Sequence, residues 1–183
     1  MNPSIAAWID DLQSTDRSVT TEAFLQLQRE TDEPVDWAYE VWDALRNDIG
    51  HEDNHRRAIA AQLLCNLAKS DPEKRILDML PELLELTKDK KFVTARHCLL
   101  ALWRIGLAGP EQKGALLAGL VDRYRGCMDE KNGTLIRFDI VESLRKLYDA
   151  EPDAGVRQLA LDLIDLEDIP KYRKKYASAW KGV

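Results

Sequence analysis

Along residues 98–105 the apolar positions Cys98, Leu99, Ala101, Leu102 and Ile105 fall three and four residues apart, the spacing that lays one stripe along a helix. The same frame recurs. With Ile105 aligned to Leu67 and Leu147, the positions three, six and seven earlier read Leu102, Leu99, Cys98; Leu64, Ala61, Ala60; and Leu144, Val141, Ile140. A weaker copy ends at Leu27, with Phe24 in the stripe and Thr21 and Thr20 where the others are apolar. The steps from Leu27 to Leu67 to Ile105 to Leu147 are 40, 38 and 42 residues. A period near 40 with two helices per copy is the signature of stacked helix pairs, each burying its stripe against its neighbours.

The central unit, Leu80 to Gly106, reads as a helix over 72–88, a charged turn at Asp89 to Lys91 and a second helix over 92–107. Before it, helices are expected over 4–13 and 17–30. The next starts at Asp32 and Pro34 and carries the stripe Ala38, Val41, Trp42, Leu45 and Ile49; another, capped by Asp53 or Asn54, runs to about Lys69. Ser70-Asp71-Pro72 predicts a restart, and Gly109-Pro110 a break. Helices follow over 111–126, 134–148 and 153–168, with a short one after Pro170. No run alternates in the manner of a strand, and no linker divides the chain. The expected fold is therefore all-α: a right-handed superhelix of about four helix pairs plus a C-terminal cap in one domain, 1–183. Its parts are a capping pair over 1–31, central repeats over 32–69, 70–107 and 110–148, and a cap over 153–183.

Ten positions before the aligned residue stand Arg17, Arg57 and Arg137, with Ala95 in the third copy. Ile136-Arg137 and Val156-Arg157, an apolar residue and arginine opening a small-residue stripe, resemble the second helix of the HEAT-repeat family. Leu80-Pro81-Glu82-Leu83-Leu84 is similar to that family's first helix, where a proline introduces a bend. The wording EKNGTLIRFDI (130–140) and KYRKKYASAW (171–180) also resembles small bacterial HEAT-repeat proteins. The resemblance implies a solenoid fold and says little of activity, because such repeats serve as scaffolds in many unrelated systems.

At 183 residues the chain can bury about 70% of its unfolded surface and needs no staple. Cys65, Cys98 and Cys127 are far apart, and the first two sit among aliphatic residues. They read as reduced core thiols of a cytoplasmic protein. No apolar run reaches the length of a membrane span, and the first residues lack the charged-then-apolar order of a secretion signal. A net charge of −6 argues against general affinity for nucleic acid. The charge is unevenly placed, however. Residues 32–48 and 151–168 each carry six acids and one arginine, whereas 88–104 carry Lys88, Lys90, Lys91, Arg96 and Arg104 against Asp89 alone. The tail over 169–183 adds five cations and no acid.

Candidate chemistry is sparse. His51-Glu52-Asp53-Asn54-His55 has the letters of a zinc-protease motif, but Gly50 and the capping residues place His51 before the helix begins, and His97 is the only other histidine. Arg96-His97-Cys98 is contiguous, yet neighbours on a helix point in different directions and Cys98 lies in the core frame. No metal, cofactor or catalytic residue is expected.

The second helices also present a surface, because positions one, two, five and nine before the aligned residue lie off the core stripe. In a HEAT-like stack they line the concave side. A partner-binding face is expected at Gln62, Asn66, Arg96, Trp103, Arg104, Arg137 and Arg145, suited to a peptide or another acidic partner, since Arg and Trp are frequent interface anchors. The alternative is a nucleic-acid-binding protein resembling the alkylpurine glycosylases built on HEAT-like repeats. In the tail, Tyr172, Tyr176 and Trp180 recur every four residues, and are expected to cover the last repeat while the tail cations answer the acids of 151–168.

Overall fold

The stripes of the repeat frame are the buried faces of paired helices. In the computed structural model, which describes residues 2–183, these pairs are α1 (Pro3–Asp11) with α2 (Arg17–Glu30), α3 (Ala38–Ile49) with α4 (Asn54–Leu67), and α5 (Arg75–Leu86) with α6 (Phe92–Leu99). They continue with α7 (Pro110–Gly126) and α8 (Gly133–Ala150), then α9 (Ala154–Asp165) and α10 (Pro170–Ser178). No strand occurs among the described residues, and none of their helices is long and apolar enough to cross a membrane. The second helices pack in order, α2 on α4, α4 on α6, α6 on α8 and α8 on α10; α3, α5, α7 and α9 make the other layer. One core runs between the layers from Ile5 to Trp180. The cap expected after four pairs is thus itself a fifth pair.

Three boundaries differ from the sequence reading. Helix α3 begins at Ala38, four residues after Pro34. Helix α5 begins at Arg75 after Lys74, which is left-handed at φ 56°. Asp71 explains the delay: its Oδ2 accepts from the Ile76 N–H at 2.7 Å, while its Oδ1 accepts from the Tyr39 hydroxyl of the preceding pair. The residue therefore closes a wider turn than a first-turn cap would. The second helix of the third unit also breaks after Leu99, and Leu102–Leu107 continues it as a 3₁₀ segment. Gly106 and Gly119 mark close approaches, since a Cβ on Gly119 would lie 2.4 Å from Leu84 of α5 and one on Gly106 2.8 Å from Leu147 of α8.

A ladder of ion pairs joins consecutive units along the edge formed by the turns within each pair. Arg17 reaches Asp53 at 3.5 Å on the surface. Arg57 grips Asp89 through Nε and Nη2 at 2.7 and 2.9 Å, both side chains being buried, and also donates to the carbonyls of His51 and Glu52. Arg137 meets Glu167 at 2.9 Å in the interior, donates to the Tyr124 carbonyl and lies 4.6 Å from the Tyr124 ring centroid. Each arginine points to the turn of the following pair. Ala95 cannot make the third rung. There Arg123 enters from α7 instead, holding Glu130 at 2.6 and 2.8 Å and the oxygens of Thr87.

Candidate functional site

The outer face of the second-helix layer is where the expected binding residues should gather, and the structure divides them. Asn66 is buried: its amide donates to the Gln28 carbonyl and the Thr31 hydroxyl, tying α4 to α2. Arg137 is buried in the ladder. Neither is on an accessible face, because a stack this tight places position one of α4 and position ten of α8 between neighbouring helices. Over α4 the face is nearly closed, with Ala58 and Cys65 buried and Gln62 half-buried, its amide turned onto the Ala58 carbonyl of its own helix.

Farther along, side chains emerge. Arg96 is partly exposed but committed, its guanidinium bidentate on Asp139 of α8 at 2.7 and 2.9 Å. That hydrogen bond raises the Arg96 pKa against the opposing effect of burial. The Asp139 side chain is 0% exposed. Arg145 donates to Asp149 on its own helix at 2.7 Å and to the Ala179 carbonyl at 3.0 Å, holding α10 onto α8. Trp103 is half-buried against the core, and its indole Nε1 is buried without a hydrogen-bond partner. The Arg104 guanidinium lies 4.7 Å from the Trp103 ring centroid, a cation–π contact, and among the described residues it meets no carboxylate.

Position nine on α8, Phe138, receives the Lys175 ammonium of α10 at 4.2 Å from its ring centroid. Lys146, one position before the aligned Leu147, is exposed and also meets no carboxylate among the described residues. Arg104 and Lys175 thus lie on aromatic side chains of this face and Lys146 is a further exposed cation, while only Glu142 adds an acid among the aligned positions. Lys175 was invisible to a repeat-frame reading, because its contact with Phe138 exists only once α10 is laid on α8.

The tail behaves as expected in its aromatic half. Tyr176 and Trp180 are buried, the Tyr176 hydroxyl donating to the Thr134 carbonyl at 2.7 Å and the Trp180 indole to that of Val141 at 3.2 Å. Its cations do not answer the acids of 151–168. Arg173 donates to the backbone carbonyl of Glu167, and among the described residues no tail lysine forms an ion pair with that stretch. The Glu167 carboxylate is already held inside by Arg137.

Reactive groups are muted by burial. The Cys65 thiol is pushed up to about 12 by burial, with only the Arg104 charge acting the other way, and burial raises Cys98 and Cys127 too. None is a thiolate near neutrality. His51 lies in the turn before α4, its Nδ1 accepting from the Asp53 N–H at 3.0 Å. His55 has an unpartnered buried Nε2 and a pKa lowered by burial and by the Arg17 charge. Among the described residues no three His, Cys, Asp or Glu side chains gather as a metal site would require.

Two stacked layers of helix pairs, an arginine–acid ladder and an open basic-aromatic face define a HEAT/armadillo-like α-solenoid. No family model matches the chain, and no curated protein does. Solved structures do. Two engineered proteins cover 98% of the chain each, one at TM-score 0.57 and 17% identity over 78% of its own length, the other at 0.54 and 18% over 88%. A designed armadillo repeat protein in complex with the peptide (KR)4 matches at TM-score 0.51 and 14% identity, over 96% of this chain and 87% of its own. At such identities the likeness is one of fold.

Proposed function

We propose that this chain is a non-catalytic scaffold whose second-helix face holds an acidic peptide segment of a protein partner. The observation that supports this most is Arg104, a cation lying on an indole ring with no carboxylate to neutralise it, while Arg57, Arg96, Arg123 and Arg137 are committed to acids of the fold. An arginine packed on an aromatic ring keeps its N–H donors free, and their planar fork suits a carboxylate. Lys146 and Lys175 extend the positive strip, and Trp103 and Phe138 supply apolar contact. The designed armadillo neighbour is bound to a basic peptide; the charge of this face favours the opposite sign.

The test is fluorescence anisotropy with two labelled peptides, one rich in Glu and Phe and one rich in Lys and Arg. The acidic peptide binds, binding weakens as salt rises, and Arg104→Glu lowers affinity at least about tenfold. Equal binding of both peptides, or an Arg104→Glu variant that binds unchanged, would defeat the proposal. The duplex-binding alternative is less favoured, since most of the arginines it would use on phosphate, Arg96, Arg137 and Arg145 among them, are already paired within the protein.

A further inference from the structure

Two groups at ladder positions, Asp16 and Arg173, have no ion-pair partner among the described residues, and they are opposite in charge. Asp53 caps α4 by accepting from the N–H two residues on, and in addition takes Arg17 of the preceding pair. Asp16 stands in the same place on α2, accepting from the Ser18 N–H at 2.8 Å, and among the described residues no arginine reaches it. At the other end Arg173 is three residues into α10, as Arg57 is three residues into α4. It bonds the carbonyl six residues earlier, Glu167, as Arg57 bonds that of His51. Arg57 then goes on to a carboxylate of the next unit. Arg173 is exposed, and among the described residues it meets none.

The surroundings of these two groups are complementary in part, although Arg17 adjoins Asp16 and Asp168 lies between Leu166 and Ile169. Residues 169–183 hold five cations and no acid; residues 1–16 hold Asp10, Asp11 and Asp16 and no Lys or Arg. Beside Asp16 an open groove is lined by Trp8, Asp11, Ser18, Val19 and Glu22. Leu166 and Ile169, flanking the turn before α10, are 46% and 48% exposed, unusual for residues of their size in this molecule.

We propose that copies of this chain associate head to tail, Arg173 of one copy completing the rung on Asp16 of the next while Leu166 and Ile169 enter the groove beside Trp8. Such a contact joins unlike surfaces, so it is not completed by two copies and continues to add copies, in line or in a ring. The first-helix layer opposes it, because Asp162 and Asp165 of α9 would approach Asp10 of α1. The joint is therefore weak, reversible and governed by salt.

Sedimentation velocity on the intact chain tests this. In low salt the weight-average mass rises above the monomer's 20.9 kDa with protein concentration, and it returns there at about 1 M salt, where the Debye length is about 3 Å. Arg173→Glu and Asp16→Asn each lower the association constant roughly tenfold. Asparagine is chosen because it caps a helix as well as aspartate, so α2 is left intact. An equimolar mixture of the two variants is decisive: one has only a working head and the other only a working tail, so pairs form and growth stops. A wild-type chain monomeric at every concentration, variants that associate as before, or a mixture that stays monomeric would each overturn the proposal.

Discussion

Rungs at the same register but different burial should differ sharply in strength, and Arg137 measures this. Its side chain and that of Glu167 are 6% and 3% exposed, against 65% and 36% for Arg17 and Asp53. Arg137→Ala leaves the Glu167 carboxylate inside the fold without its cation, with only neutral donors such as the Ile169 N–H at 3.1 Å. Removing one partner of a buried pair costs about 3–5 kcal/mol, whereas an exposed pair contributes roughly 0.2–1 kcal/mol. In a chain of this length the first figure corresponds to a melting point lower by roughly 10 °C and the second to a shift of about 2 °C. Arg137→Met combined with Glu167→Gln removes both charges and keeps an acceptor for Ile169, so it recovers most of the loss. Urea unfolding followed by circular dichroism reads all three. The reasoning fails if Arg137→Ala costs no more than Arg17→Ala, or if the double variant is as unstable as the single one.

Two further outcomes follow from local geometry and charge. Gly114 has open space where a Cβ would stand, so Gly114→Ala stabilises by about 0.5–1 kcal/mol, whereas Gly133→Ala places a Cβ 2.3 Å from the Cys127 carbonyl oxygen and destabilises by about 1–3 kcal/mol; thermal melts of both variants check the contrast. Burial pushes the Asp89 carboxyl up, but hydrogen bonds from Arg57 and the Lys91 N–H outweigh this and hold it below 3.8. A lowered carboxyl stabilises the fold above the unfolded value and ceases to do so as pH falls through the folded one. Stability therefore drops below about pH 4, and Asp89→Asn, less stable at neutral pH, flattens that decline in a pH series of urea midpoints.

The stacking was legible because burial of one stripe per helix is a local demand, written every three and four residues. Cys98, Leu99, Leu102 and Ile105 are all fully buried, as are Ile140, Val141 and Leu144. What escaped a sequence reading depends on partners a repeat away. Asp71 looks like a cap for a helix at Pro72 until Tyr39, 32 residues earlier, takes one of its oxygens. Arg96 looks like a free surface cation until Asp139, 43 residues on, is laid beside it. A usable signal did exist for the ladder: 36, 32 and 30 residues after Arg17, Arg57 and Arg137 an acid occupies the next turn. Arg123 in place of Ala95 left no such trace, because it arrives from the other layer.

This division of the arginines decides which part of the face can exchange partners. Drawing Arg96 onto an acidic ligand would leave Asp139, wholly buried, without its bidentate donor, and an unpaired buried carboxylate costs more than one exposed ion pair returns. Arg104 carries no such obligation, since releasing it from the Trp103 ring forfeits only a cation–π contact. The ladder and the Arg96–Asp139 pair thereby hold successive helix pairs in register, and only the few cations they do not use are left for the proposed binding. An Arg96→Ala change accordingly lowers the melting point more than it lowers affinity for an acidic peptide, and Arg104→Ala does the reverse.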